Sequence, residues 1–422
     1  VAQNSLVRTL AKPLLAILGP AAVMTAGVMG AGSTTSLVLA GAYFGYSLLW
    51  IVVITLPVLV VAQDSASRIG ILSGNKGTFT IISQEIHPLL KWFFFPPILI
   101  LGFIANMGQT KVMVHAVLTI AGVDEPDLSL IVAATFVVVI GSLLSVLFGS
   151  YKHVERIMTG LLFVMAIAFL AVAVRGFSEP MELAAGLVPN IPPNAGTRDS
   201  MQFIAAIAAG AIAITALLSF PYFSAEAGYT EKDIPMAFRK AVLTFGVIFG
   251  VWSVAALVAG ASVLHKLPNA LEIQDANQAG RVLGPILGGW SVILFSLGLF
   301  SAAYSTFITV AQLQTYFVLD AFGKDWRFAA ENKGFRWVFA ILLLLPGLSS
   351  PLWQFPALLA IVAAMVLGIL GTPAALALVI YLINKNSLMK EYRASFVRNV
   401  VLAFGLLLSF WIAYRNIQQF LR

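Results

Sequence analysis

The stretch AGVMGAGSTTSLVLAGAYFGYSLLW, residues Ala26 to Trp50, sets seven small residues, Gly30 to Ser36, inside an apolar run long enough to cross a bilayer. Glycine at a helix centre costs backbone entropy and contributes no packing. The run therefore predicts a helix that stops and restarts near its middle. Backbone N–H and C=O groups freed by such a break cannot be satisfied by hydrocarbon, so they must face a substrate, an ion or water.

The rest of the chain makes a membrane setting unavoidable. Of 422 residues, 60% are hydrophobic and only 10% charged, with a mean hydropathy of +0.94. Soluble domains carry roughly 25% charged residues. The apolar runs are continuous rather than alternating, which excludes an outer-membrane barrel and leaves an all-α polytopic membrane protein. There is no cysteine, so disulfides and thiolate chemistry are excluded. No cleavable signal peptide is expected, and a chain opening on Val1 is expected to have a trimmed start. The net charge of +7 is assigned to basic loops, not to a nucleic-acid surface.

Eleven spans are predicted: Pro13–Phe44, Tyr46–Ala62, Trp92–Thr119, Leu128–Phe148, Ile157–Val174, Gln202–Tyr229, Ala241–Leu264, Val282–Leu319, Phe335–Leu348, Leu352–Leu382 and Phe396–Tyr414. Of the 25 lysines and arginines, eighteen fall in alternate loops and six on the opposite side, with Lys111 inside a span. The positive-inside rule then puts the N-terminus in the cytoplasm and the C-terminus outside, in a membrane expected to be the bacterial inner membrane. No segment reads as a separate soluble domain, so residues 1–422 are expected to form one transmembrane unit. Trp50, Trp92 and Trp353 read as interface anchors.

The sixth span carries a second interruption, LLSFPYFSAEAG (Leu217–Gly228), where Pro221 removes a backbone donor and disfavours helix at Phe220. Spans one to five and six to ten would each begin with a broken helix. An odd set of five inverts its second copy, giving repeats at about 13–174 and 202–383 and an extra helix at about 396–414. Paired discontinuous helices in an inverted repeat point to a midplane substrate site. The helix restarting near Ser33 presents free N–H groups and the positive end of its dipole, which suits an anion. Small residues also serve close helix packing, but two breaks in matching places favour a ligand. The candidate substrate residues are Gly30, Ala31, Gly32, Ser33, Thr34, Ser219, Phe220, Tyr222 and Gly371.

Three segments carry a family resemblance: LAGAYFGYSLLW (Leu39–Trp50), SFPYF (Ser219–Phe223) and GTPAALALVIYLINKNSLMKEY (Gly371–Tyr392). In these the chain resembles the Nramp family of divalent-metal transporters, which implies a LeuT-type fold with helices 1 and 6 broken at midplane. The family's first-span Asp-Pro-Gly-Asn, which binds metal, corresponds to Gly30, Ala31, Gly32 and Ser33. Its sixth-span Met-Pro-His corresponds to Phe220, Pro221 and Tyr222. Its tenth-span Gln corresponds to Gly371, and its third-span acid pair to Asn106 and Gln109. Gly, Ser and Phe cannot rebuild the anionic and soft ligand set of a transition metal, so no metal ligands are expected. The break is similar instead to the Gly-x-Gly break of amino-acid transporters in the same superfamily. The leading expectation is ion-coupled transport of a small organic acid, amino acid or derivative; the alternative is a divalent-cation transporter with a relaxed site, for example for hydrated Mg²⁺.

Ionisable residues inside spans are functional by default. Lys111, His115 one turn later and Glu226 after the sixth-span break join Asn106 and Gln109 as coupling candidates. H⁺ would use Glu226, Lys111 or His115. Na⁺ would use carbonyls of spans one and eight with Ser301 or Ser305, by fold analogy. Asp64 and Glu85 read as solvated, and Asp320 as needing no special role. No nucleophile–base pair appears, so an enzyme is excluded. No cofactor is expected, and the partners are a small molecule or ion and the bilayer, with a monomer plausible and no nucleic acid.

Overall fold

A computed structural model of the chain describes residues 30–420, apart from 124, 148–150, 177–178, 275 and 329–330. The portion of the first span before Gly30 lies outside the described residues. From there the chain forms a helical array: α1 (Ala31–Phe44), α2 (Leu49–Leu72), α3 (Thr78–Glu85), α4 (Leu90–Ile120), α5 (Leu128–Leu147) and α6 (Tyr151–Gly176). After a loop with a short helix at Pro180–Gly186 come α7 (Ser200–Ile212) and α8 (Ile214–Glu226), then α9 (Glu231–Leu264). The chain continues through α10 (Ser291–Ala321), α11 (Lys333–Ser349), α12 (Ala357–Leu370), α13 (Thr372–Asn384) and α14 (Phe396–Phe420).

Eight described helices or helix pairs are long and apolar enough to cross a membrane, and α12 with α13 makes a ninth span bent by 43°. Helices α1 and α6 occupy the first and fifth positions of the predicted order. The array therefore follows the eleven-span reading, with the tenth span kinked at Gly371, two residues before Pro373.

The sixth span breaks in a different place from the sequence expectation. The interruption is at Ala213 (φ −59°, ψ 147°), and Pro221 lies inside α8. Pro221 leaves Leu217 O without its helical donor, and hydroxyls bond the carbonyls on either side of it. Thr78 Oγ1 donates to Leu218 O at 2.6 Å and Ser219 Oγ donates to Ala216 O at 2.6 Å. Gly70 of α2 lets the Pro221 backbone come close: a Cβ at residue 70 would lie 2.5 Å from Pro221 Cα.

Helices in a bilayer gain little from hydrophobic association with one another, so close packing of small residues holds them. The most extensive pairing is α4 with α10. It is keyed by Gly102, where an added Cβ would lie 2.0 Å from Gln314 Nε2. A tighter approach joins α1 to α9. A Cβ at Gly41 would sit 2.2 Å from Leu257 O, and one at Gly260 would sit 2.3 Å from Val38 O. Both obstacles are main chain, which cannot swing aside. Gly41→Val is therefore expected to cost at least the ~1–3 kcal/mol typical of overpacking, read as a lower melting temperature or lost folded yield in detergent.

Two acids read as unremarkable in the sequence are buried. Asp64 pairs with Arg68 of its own helix (2.8 Å) and with Arg398 of α14 (2.6 Å). Asp320, at the end of α10, accepts from Phe79 N at 2.8 Å, from Thr80 N at 3.2 Å, and from Thr80 Oγ1. It thereby caps α3, whose first N–H groups have no intrahelical partner. Glu85 pairs with Lys385 at 3.2 Å.

Candidate substrate cavity

Spans one, three, six, eight and ten converge on a cavity of about 170 Å³. One water needs roughly 10–15 Å³ on the same measure, so the space takes several waters or a compact solute. The start of α1 supplies Gly30, Gly32 and Ser33. Thr34 N bonds back to Gly30 O at 3.0 Å, while the N–H groups of Ala31, Gly32 and Ser33 precede the first intrahelical bond of α1. The second break adds Thr215 and Ala216 from the first turn of α8, followed by Ser219, Phe220 and Phe223. Two helix N-termini thus contribute to one small space.

The facing wall is neutral but polar at two points. Gln109 of α4 and Gln314 of α10 line the cavity, and both are almost fully buried. Gln314 Nε2 donates to Leu99 O at 2.8 Å, which leaves its Oε1 with no partner; Gln109 Oε1 has none either. Asn106, one turn before Gln109, is fully buried with neither amide atom partnered. A buried polar atom without a partner is costly, and a hydrogen-bond donor that reached these oxygens would relieve that cost. Among the described residues no ionisable side chain lines the cavity. Among the described residues no group of three or more His, Asp or Glu could hold a metal ion.

Met365 was not singled out in the sequence. Its sulfur lies where a Cβ on Gly32 would come within 2.8 Å, and its methyl 3.6 Å from one on Gly210. Ile361, Ala364, Met365 and Gly368 recur at helical spacing on one face of α12, all in the lining. That periodicity marks the face, but nothing in the sequence pairs it with Gly32. A thioether therefore does enter the cavity, from the tenth span rather than the sixth.

Several expected residues lie elsewhere. Ala31 and Thr34 are buried in the first turn of α1, and the Thr34 hydroxyl donates to Gly30 O at 3.1 Å. Tyr222 points away from the cavity: it is fully buried, stacks on Tyr316 at 5.5 Å and donates to Asp320 Oδ2 at 2.6 Å. The reason is helical geometry, since Ser219, Phe220 and Phe223 share one face of α8 and Tyr222 falls off it. Gly371 packs against Ile214, whose Cδ1 would lie 2.7 Å from an added Cβ. Lys111 and His115 line a different cavity, and Lys111 Nζ donates to Trp353 O. Glu226 ends α8 and accepts from Phe328 N at 2.9 Å, so it does not pair with Lys111. Ser301 and Ser305 donate to carbonyls of their own helix, at 2.7 and 3.1 Å, and neither lines the cavity.

Comparison with known proteins fits this architecture. The family model described as natural resistance-associated macrophage protein-like (Nramp) matches residues 21–419. The chain is 26% identical over 312 residues to the divalent metal cation transporter MntH of Klebsiella pneumoniae strain 342, covering 72% of each. It is 25% identical over 393 residues to the MntH of Yersinia pestis strain Pestoides F, covering 91% of this chain and 90% of the relative. In structure it resembles the Eremococcus coleocola manganese transporter, solved with an aromatic bis-isothiourea substituted compound, with a TM-score of 0.70 at 17% identity, over 97% of this chain and 87% of the other. It also resembles MhsT, solved with L-phenylalanine, with a TM-score of 0.60 at 17% identity, over 94% and 98%. The likeness to solved structures fixes a LeuT-type fold. With the family model spanning both breaks and every described helix, this chain belongs to the Nramp family and is an integral membrane transporter, not an enzyme.

Proposed function

We propose that the chain is a secondary active transporter whose cargo, a divalent cation keeping much of its water shell, sits in the neutral cavity between the two helix breaks. The observation that carries this reading is the pair of donor-free amide oxygens, Gln109 Oε1 and Gln314 Oε1, in a lining with no carboxylate. Water bound to a cation is a strong hydrogen-bond donor, and Mg²⁺ gives up its waters reluctantly. Direct capture of Mn²⁺ or Fe²⁺ would need several nitrogen, sulfur or anionic oxygen ligands, against which one thioether, Met365, is too little. The relatives, named as divalent metal cation transporters, favour a cation over the organic-acid reading drawn from the sequence.

A second reading keeps a small organic acid. It is favoured by the N–H groups at the starts of α1 and α8, which would receive a carboxylate while Gln109 and Gln314 accept from its donors. In both readings Gly30, Gly32, Ser33, Ser219 and Phe220 contact the cargo, the repeats run over about 13–174 and 202–383, and the N-terminus is cytoplasmic. The coupling ion, H⁺ or Na⁺, belongs to the same proposal.

The test is thermal stabilisation of the purified protein, since a ligand that prefers the folded state raises stability by RT ln(1 + [L]/Kd), about 2.7 kcal/mol at 100 times Kd. Millimolar Mg²⁺ is expected to raise the melting temperature at least as much as Mn²⁺, with amino acids and organic acids inert. A shift with an organic acid and none with either metal would replace the first reading by the second.

A further inference from the structure

At the opposite end of α4 from Leu90, a separate cavity of about 350 Å³ is lined by Lys111, His115, Thr135, Ser350, Trp353 and Gln354, with apolar side chains around them. Lysine inside a spanning segment is costly and is retained where it has work to do. Elsewhere the ion-paired lysines and arginines have carboxylate partners: Arg68 and Arg398 on Asp64, Lys266 on Glu179, Lys385 on Glu85. Half-buried Lys111 has no carboxylate partner among the described residues and donates to a backbone carbonyl, Trp353 O, as Lys91 does to Ala321 O. An ammonium carries three donors, so among the described residues two remain for a ligand.

Among the described residues no carboxylate lines this cavity. Asp127, in the loop before α5, spends its carboxylate on Ser129 and on Leu130 N, at 2.9 and 2.8 Å. A neighbouring cavity of about 420 Å³ shares His115 and Pro356 and continues to Gln274, Gln278 and Arg281. The polar wall is thus rich in donors and cationic at Lys111 and Arg281. Trp353 and Phe355, edge to face at 5.9 Å, form an apolar side against which a short organic body can lie.

We propose that this cavity is a binding site for a compact oxyanion, a carboxylate or a phosphate, held by Lys111 Nζ and flanked by His115. The site does not depend on the identity of the cargo, because it shares no lining residue with the cavity between the helix breaks. The same chemistry is offered by a soluble carboxylate or phosphate and by an anionic lipid headgroup.

The full chain, purified in detergent, would be melted at constant ionic strength against acetate and inorganic phosphate, and separately in nanodiscs with and without phosphatidylglycerol. Saturable stabilisation by acetate or phosphate is expected in the wild type, at least tenfold weaker in Lys111→Met and kept in Lys111→Arg. Stabilisation by phosphatidylglycerol with none by the soluble anions, lost in the same variant, would assign the headgroup as the source. Equal responses in wild type and Lys111→Met, or no response to any of the three probes, would overturn the proposal. If Lys111→Met does not fold, Lys111→Gln keeps a polar end on a side chain one atom shorter, removes the charge and is read against the same outcomes.

Discussion

Gly32→Val is expected to reduce uptake at least tenfold while leaving the folded yield near that of the wild type. The two halves of this expectation have separate causes. A Cβ at residue 32 would lie 2.8 Å from Met365 Sδ and 3.1 Å from Met365 Cγ. Methionine is flexible and can swing away, so the fold survives. Any such movement carries Met365 into the cavity or valine into its space, and the branched side chain also covers the N–H groups at the start of α1. Pairing the change with Met365→Ala separates the two effects. If lost volume is the whole cause, the double variant recovers transport. If the cargo touches the Gly32 backbone, uptake into proteoliposomes stays low although the space is restored. Wild-type uptake by Gly32→Val would remove this glycine from the site.

The largest expected loss of stability comes from Asp64→Asn. The Asp64 side chain is 1% exposed and those of Arg68 and Arg398 are 17% and 12% exposed. Removing the anion leaves two largely buried guanidinium groups facing a neutral amide. Breaking a buried pair from one side costs about 3–5 kcal/mol, whereas replacing both partners by apolar groups is often tolerated. Melting curves should therefore show a large drop for Asp64→Asn and a partial recovery for the double variant with Arg398→Met. Arg398 also donates to Ser65 Oγ at 3.0 Å and lies over the Phe238 ring at 5.8 Å, so the recovery is not complete. An unchanged melting temperature in the single variant would mean that the three side chains do not form a buried cluster in the membrane.

The spans could be read from the sequence because each is one apolar run bounded by polar residues. The start of α1 was legible for the same local reason: GAGS makes a poor helix centre, and α1 begins at Ala31 after an extended Gly30. The break of the sixth span was not, because proline is the stronger local signal and tertiary contacts overrode it. The Thr78 hydroxyl that serves the turn before Pro221 comes from a helix more than a hundred residues away. Ala213, where the chain does turn, is an alanine in an alanine-rich run with nothing to distinguish it. Asp64 and Asp320 failed for a related cause: a carboxylate near a loop looks solvated until the partners from α14, α3 and α8 are known. Of the cavity lining, Gly30, Gly32, Ser33, Ser219, Phe220 and Gln109 were named from the sequence, as breaks or as departures from a motif. Gln314 and Met365 carried no local mark, since their role comes from the helices that face them.

The contact between Gly41 and Gly260 has a mechanical consequence. Two main chains in van der Waals register, with a carbonyl of each filling the place of the other's missing methyl group, mesh like teeth and resist sliding. The part of the first span from Ala31 onward and the seventh span consequently travel as one lever, and a passage to the cavity has to part along some other seam of the bundle.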